Sequence, residues 1–148
     1  MTILISRTDL ARNTRKVIEQ ARKGQSVVVE SYGIEQVAIL DAVDYRLLLA
    51  MAHYQALEQS GGKVTETRGL TREERQQLVD AAGGDVQVWW DRVFAAHQDN
   101  EISLGRAAEL LDTNRYELAV RYNRLGIPLQ LGPRTVDEAL REVETLRH

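Results

Sequence analysis

The stretch QSVVVESYGIEQVAILD, residues 25–41, limits the fold more than any other part of the chain. Two apolar, β-branched runs flank a turn containing Gly33, which reads as a β-hairpin. The Val27-Val28-Val29 run lacks alternation, so both faces of its sheet are expected to be covered. Thr2 to Ile5 is a further short β-prone run, and most of the remaining chain reads as helix. The expected class is α+β: a small antiparallel sheet with two helices, followed by an all-α C-terminal region.

Ser6 and Asp9 have the spacing of a capping box that opens the first helix. Leu10, Thr14, Val17, Ile18 and Ala21 then share one helical face, Arg12, Lys16 and Lys23 line the opposite one, and Gly24 closes the helix. From Met1 to Lys23, six cations (Arg7, Arg12, Arg15, Lys16, Arg22, Lys23) stand against Asp9 and Glu19, in a chain whose net charge is -3. A protein coating nucleic acid along its whole surface would be basic overall, so any such contact is expected to be local to this segment. After the hairpin, Asp41 or Asp44 caps VDYRLLLAMAHYQALEQ, whose apolar residues spread around more than half the helix. Such a helix is expected to pack on its own sheet and on a partner.

Residues 60–69, SGGKVTETRG, are polar with three glycines and read as a linker between domains at 1–59 and 70–148. Thr71 and Glu74 form another capping-box pair, and Gly83-Gly84 interrupts the helical pattern before Val86, Trp89, Trp90, Val93 and Phe94. Trp90 shares a side with Val86, Val93 and Phe94 and is expected in the core. Trp89 faces the other way and is assigned to a binding surface.

Residues 103–128 read as a helix-turn-helix-like pair. Ser103 caps the first helix, Asp112 takes a left-handed turn position, and Thr113 or Asn114 caps the second. Gly126-Ile127-Pro128 is a helix stop. Arg115, Arg121 and Arg124 are offset by Glu117 and Asp112, so the pair is nearly neutral. It suits either protein docking or DNA contact. A final amphipathic helix is expected at 135–147.

A chain of 148 residues makes one ordinary domain or two small ones, and small ones often complete their core by association, so an oligomer is expected. The chain has no cysteine, and His53, His97 and His148 lie far apart, so neither a disulfide framework nor a Cys/His metal site is expected. It lacks a Walker loop, a G-x-G-x-x-G, a G-x-S-x-G and an H-E-x-x-H. The expectation is a protein that is not an enzyme and uses no cofactor and no metal. No signal-peptide pattern or run of about 20 apolar residues is present, so a cytoplasmic protein without a membrane partner is expected.

Strand, basic helix, hairpin and apolar helix within about sixty residues resemble the Phd/YefM family of antitoxins. The resemblance rests on Ile5-Ser6, Leu10, Asn13, Val17-Ile18, Gly24, Val27-Val28-Val29, Gly33, Val37-Ala38-Ile39-Leu40 and Asp44-Tyr45. One departure is Gly33-Ile34-Glu35-Gln36, where family hairpins often place a proline. The resemblance implies a homodimer, or a higher even oligomer, that binds operator DNA through its basic N-terminal region. The residue chemistry agrees: Arg7, Arg12, Arg15 and Lys16 suit phosphates, while Thr8 and Asn13 suit backbone positioning or base edges.

Ile102-Ser103-Leu104-Gly105, Ala107-Ala108-Glu109-Leu110 and Arg124-Leu125-Gly126-Ile127-Pro128 resemble a small prokaryotic family, UPF0175, whose members are proposed antitoxins of PIN-type ribonucleases. That implies a toxin-binding C-terminal region, for which Trp89, Arg121, Arg134, Arg141 and Arg147 are the assigned contacts. An arginine entering a carboxylate-rich toxin site would replace the electrostatic role of its metal. A stand-alone regulator whose helix pair also touches DNA is the alternative, and a structural scaffold is a third.

Overall fold

The computed structural model describes residues 2–61 and 70–130. Most of the expected linker lies outside the described residues, as do the expected helix 135–147 and Arg134, Arg141 and Arg147. The elements are β1 (Thr2–Ser6), α1 (Arg7–Arg12), α2 (Thr14–Arg22), β2 (Ser26–Ser31), β3 (Ile34–Ile39), α3 (Ala42–Gln59), α4 (Arg72–Ala81), α5 (Gln87–Gln98), α6 (Leu104–Leu110) and α7 (Arg115–Leu125). The class is α+β.

The chain divides into two compact units at Leu49 and Ala50, inside α3 rather than after residue 59. The reason lies in the second half of α3. Tyr54 packs edge-on against Phe94 and His53 lies 2.8 Å from Asp91, so these turns belong with the later helices.

In the first unit the sheet order is β1-β2-β3. β1 and β2 are parallel and β2 and β3 antiparallel, which corrects the expected all-antiparallel sheet. The intervening α1 and α2 form the crossover that a parallel pair requires, whereas the two-residue turn Tyr32-Gly33 permits only an antiparallel one. Both turn residues are left-handed, with φ of 53° and 76°. Register places Leu4, Val28 and Ala38 side by side, and on the opposite face Ile5, Val29 and Val37. Val27 and Val29 are buried, Val28 is half-buried and Leu4 is exposed. The expected burial of both faces is therefore not met within this chain, because pleating sends Val28 away from Val27 and Val29.

The first helix is also not continuous. Asn13 (φ -128°, ψ 36°) separates α1 from α2, while the Asn13 amide donates to the Asp9 carbonyl and the Thr14 hydroxyl to the Leu10 carbonyl at 2.8 Å. Such side-chain bonds to the preceding turn compete with the helix. Val17 and Ala21 remain buried, but Ile18 is half-exposed.

The second unit is helical and locally well specified. The side chains of Thr71, Ser103 and Asn114 each accept the backbone N–H three residues on, opening α4, α6 and α7. α7 closes with the paired bonds Gly126 N–H to the Asn123 carbonyl and Ile127 N–H to the Tyr122 carbonyl, with Gly126 left-handed. α6 ends the same way on left-handed Asp112. The core gathers Trp89, Val93 and Phe94 from α5, Leu104, Ala107 and Ala108 from α6, and Leu118 and Tyr122 from α7.

Candidate nucleic-acid interface

The six residues assigned to DNA all lie on α1, α2 or the break between them, and all are exposed: Arg7, Thr8, Arg12, Asn13, Arg15 and Lys16. Ser6 and Asp9 form both bonds of the expected capping box, so one of the segment's two carboxylates is occupied in closing the start of α1. The other, Glu19, sits 4.0 Å from Arg15 in a solvent-facing pair whose arginine side chain is 95% exposed. A pair of that geometry holds its arginine weakly.

The break at Asn13 gives this surface a second helix start. Asn13 makes no side-chain cap on α2, and the first turn of α2 contains no acidic residue. That turn instead carries Arg15 and Lys16, opposite in sign to what the helix dipole favours at an N-terminus. An anion placed there would meet both the dipole and two cations. Sequence periodicity hides this feature, because the apolar positions run through Asn13 without interruption. Beside Arg7, the residues Leu10, Ala11, Thr14, Val29 and Val37 line an open hollow of about 590 Å³.

The toxin-contact assignments fare differently. Trp89 is 1% exposed, and its indole N–H donates to the Leu110 carbonyl at 3.0 Å. It is a core residue rather than a surface anchor, and Trp90 is the partly exposed member of the pair. The reversal comes from α6, which packs over the side of α5 that carries Trp89. The side chain of Arg121 is only 16% exposed and runs along α7, 3.9 Å from Glu117, so it does not project outward. The exposed residues of α7 are Arg115, Tyr116, Glu117, Val120, Asn123 and Arg124, a mixed surface of two arginines and one carboxylate, less basic than that of α1 and α2.

Two histidines acquire roles that spacing alone does not reveal. His53 Nδ1 lies 2.8 Å from Asp91. His97 is fully buried against the Tyr122 ring, and burial lowers its pKa from the ordinary histidine value despite the Gln130 carbonyl near Nε2. Among the described residues, no group of three or more His, Asp or Glu is arranged to hold a metal, and no helix is long and apolar enough to cross a membrane. No family model matches the chain, and neither a curated protein nor a solved structure matches it.

Proposed function

We propose that this chain is the antitoxin of a type II toxin-antitoxin pair, Phd/YefM-like in its first unit and UPF0175-like in its second. It acts in the cytoplasm as a homodimer or higher even oligomer and is not an enzyme. The first unit binds operator DNA, repressing its own operon, and the helical region holds a cognate toxin, a PIN-type ribonuclease. The observation that carries this reading is the exposed cationic surface of α1 and α2: Arg7 and Arg12 on α1, and Arg15 and Lys16 in the first turn of α2, whose N-cap Asn13 makes no side-chain bond. Such a surface suits phosphate, and binding through it gives an affinity that falls steeply with salt. Exposed Leu4, Ile34, Val37, Tyr45 and Leu48 in the same unit support self-association.

The rival reading, a stand-alone regulator, draws on the α6–α7 pair, joined by a four-residue turn with Arg115 and Tyr116 exposed at the start of its second helix. Expressing the chain together with the product of the adjacent reading frame separates the two. The antitoxin reading expects the neighbour alone to arrest growth, co-expression to relieve the arrest, and the two proteins to purify as a complex. A harmless neighbour that does not co-purify would remove it in favour of the regulator.

A further inference from the structure

Asparagine is among the best residues for opening a helix, because its side-chain oxygen accepts a backbone N–H of the first turn. Asn13 stands at the opening position of α2 and makes no such bond. Its side chain turns the other way. Nδ2 donates to the Asp9 carbonyl at 3.3 Å, beside the backbone N–H of the same residue, which donates to that oxygen at 3.0 Å. The orientation is fixed by chemistry, since a flipped amide would set two acceptor oxygens against each other. This tether uses one of the two Nδ2 hydrogens. The other hydrogen and Oδ1 are left over on an exposed residue, with no partner among the described residues.

A donor and an acceptor side by side on a planar, held group make a fork. In the major groove that fork matches adenine, whose N7 accepts and whose N6 amino group donates. Guanine presents two acceptors there, N7 and O6, so Oδ1 would face O6 with no proton between them. Thr8, also uncharged and exposed on this surface, has a single hydroxyl, which suits several base edges alike. Thr14 is already engaged, its hydroxyl donating to the Leu10 carbonyl at 2.8 Å. The place of Asn13 in the chain fits as well. Arg12 precedes it and Arg15 and Lys16 follow it, all exposed, so phosphate contacts on both sides would hold the amide to the groove between them.

We propose that Asn13 reads an adenine in the major groove of the operator, Nδ2 donating to N7 and Oδ1 accepting from the N6 amino group, once in each half-site of a dimer. The cations then supply affinity, and the side chain that leaves α2 uncapped supplies the sequence preference. The inference rests on the DNA-binding reading of the first unit and adds the base to it.

The test is binding of the full-length chain to the DNA upstream of its own gene, with each A·T pair replaced in turn by G·C. For the unaltered protein, one replacement in each half-site should weaken binding about tenfold through this contact. Replacing the same adenine by 7-deazaadenine, which lacks the N7 acceptor, should also weaken it. In Asn13→Ser and in Asn13→Ala both penalties should vanish, while the penalties at other positions and the slope of log K against log salt stay as they were. A variant that keeps every penalty of the unaltered protein, or one that loses affinity for all duplexes equally, would overturn the proposal. An unaltered protein with no salt-dependent binding to any duplex would overturn the DNA-binding reading itself, and this inference with it.

Discussion

The two units dispose of their apolar side chains in opposite ways. In the first, Leu4, Ile18, Tyr32, Ile34, Val37, Tyr45 and Leu48 are exposed, and the core is little more than Val17, Ala21, Val27, Val29 and Leu47. In the second, among the described residues, the exposed large apolar side chains are Tyr116 and Val120, while Trp89, Phe94, Leu118 and Tyr122 are almost fully enclosed. A unit of about fifty residues buries too small a fraction of its surface to be stable with ease. Unpartnered apolar surface on such a unit is a sign of association, and the second unit has much less need of it.

The strongest way to break that contrast is through the oligomeric state. Leu4→Ser with Ile34→Ser and Val37→Ser should convert a micromolar dimer to monomer in sedimentation equilibrium, while Tyr116→Ser with Val120→Ser should leave it unchanged. The opposite pattern would move self-association to the helical unit. Core energetics give the next largest effect. Trp89→Ala removes a buried indole and orphans the Leu110 carbonyl, so urea unfolding should show a loss of about 4 kcal/mol. Ile18→Ser, half-exposed, should cost under about 0.5 kcal/mol in a monomer, and a larger cost would mean that association covers it.

A pH series sharpens the comparison from the helical side. His97 has a lowered pKa in the folded state, so as pH falls below the ordinary histidine value of about 6.5 the unfolded chain takes up a proton that the folded chain refuses. Stability is therefore fully present above that pH and declines below it, by at most about 1.4 kcal/mol per pH unit, until the folded pKa is reached. His97→Gln should flatten this acid limb in thermal unfolding between pH 7 and pH 5, even if it lowers stability throughout. An unchanged limb would show that another group sets it. A modest effect is expected at a helix start: Ser103→Ala should cost about 1 kcal/mol in urea unfolding through loss of the bond to the Arg106 N–H.

What the sequence discloses is mostly what a few neighbouring residues decide. The caps at Ser6, Thr71 and Ser103, left-handed Asp112 and the stop at Gly126-Ile127-Pro128 are each settled within one helical turn. Strand direction is not local. The β1–β2 pairing depends on how α1 and α2 return the chain, so the sheet is mixed although its hairpin is plain in the sequence. The break at Asn13 escapes periodicity because Val17 and Ala21 stay in phase with Leu10, while the Thr14 bond to the preceding turn is invisible in the pattern. Trp89 and Trp90 are neighbours, so only the position of α6 decides which is enclosed. The carboxylates Glu58, Asp99 and Glu101 line one cleft, yet they come from the last turn of α3 and from the residues just after α5, far apart in sequence, and bear no motif. The basic segment, by contrast, is legible from charge alone, and its side chains are exposed as expected.

The central claim is that DNA recognition belongs to α1 and α2 and not to the α6–α7 pair. The most direct measurement is the salt dependence of binding to the DNA upstream of the chain's own gene, in the full-length protein. Arg12→Ala with Arg15→Ala and Lys16→Ala should reduce the slope of log K against log salt by about 3 per protomer, with a large loss of affinity. Arg115→Ala with Arg124→Ala should leave both slope and affinity unchanged. A slope preserved in the first variant and lowered in the second would contradict the account and place the DNA on the second unit.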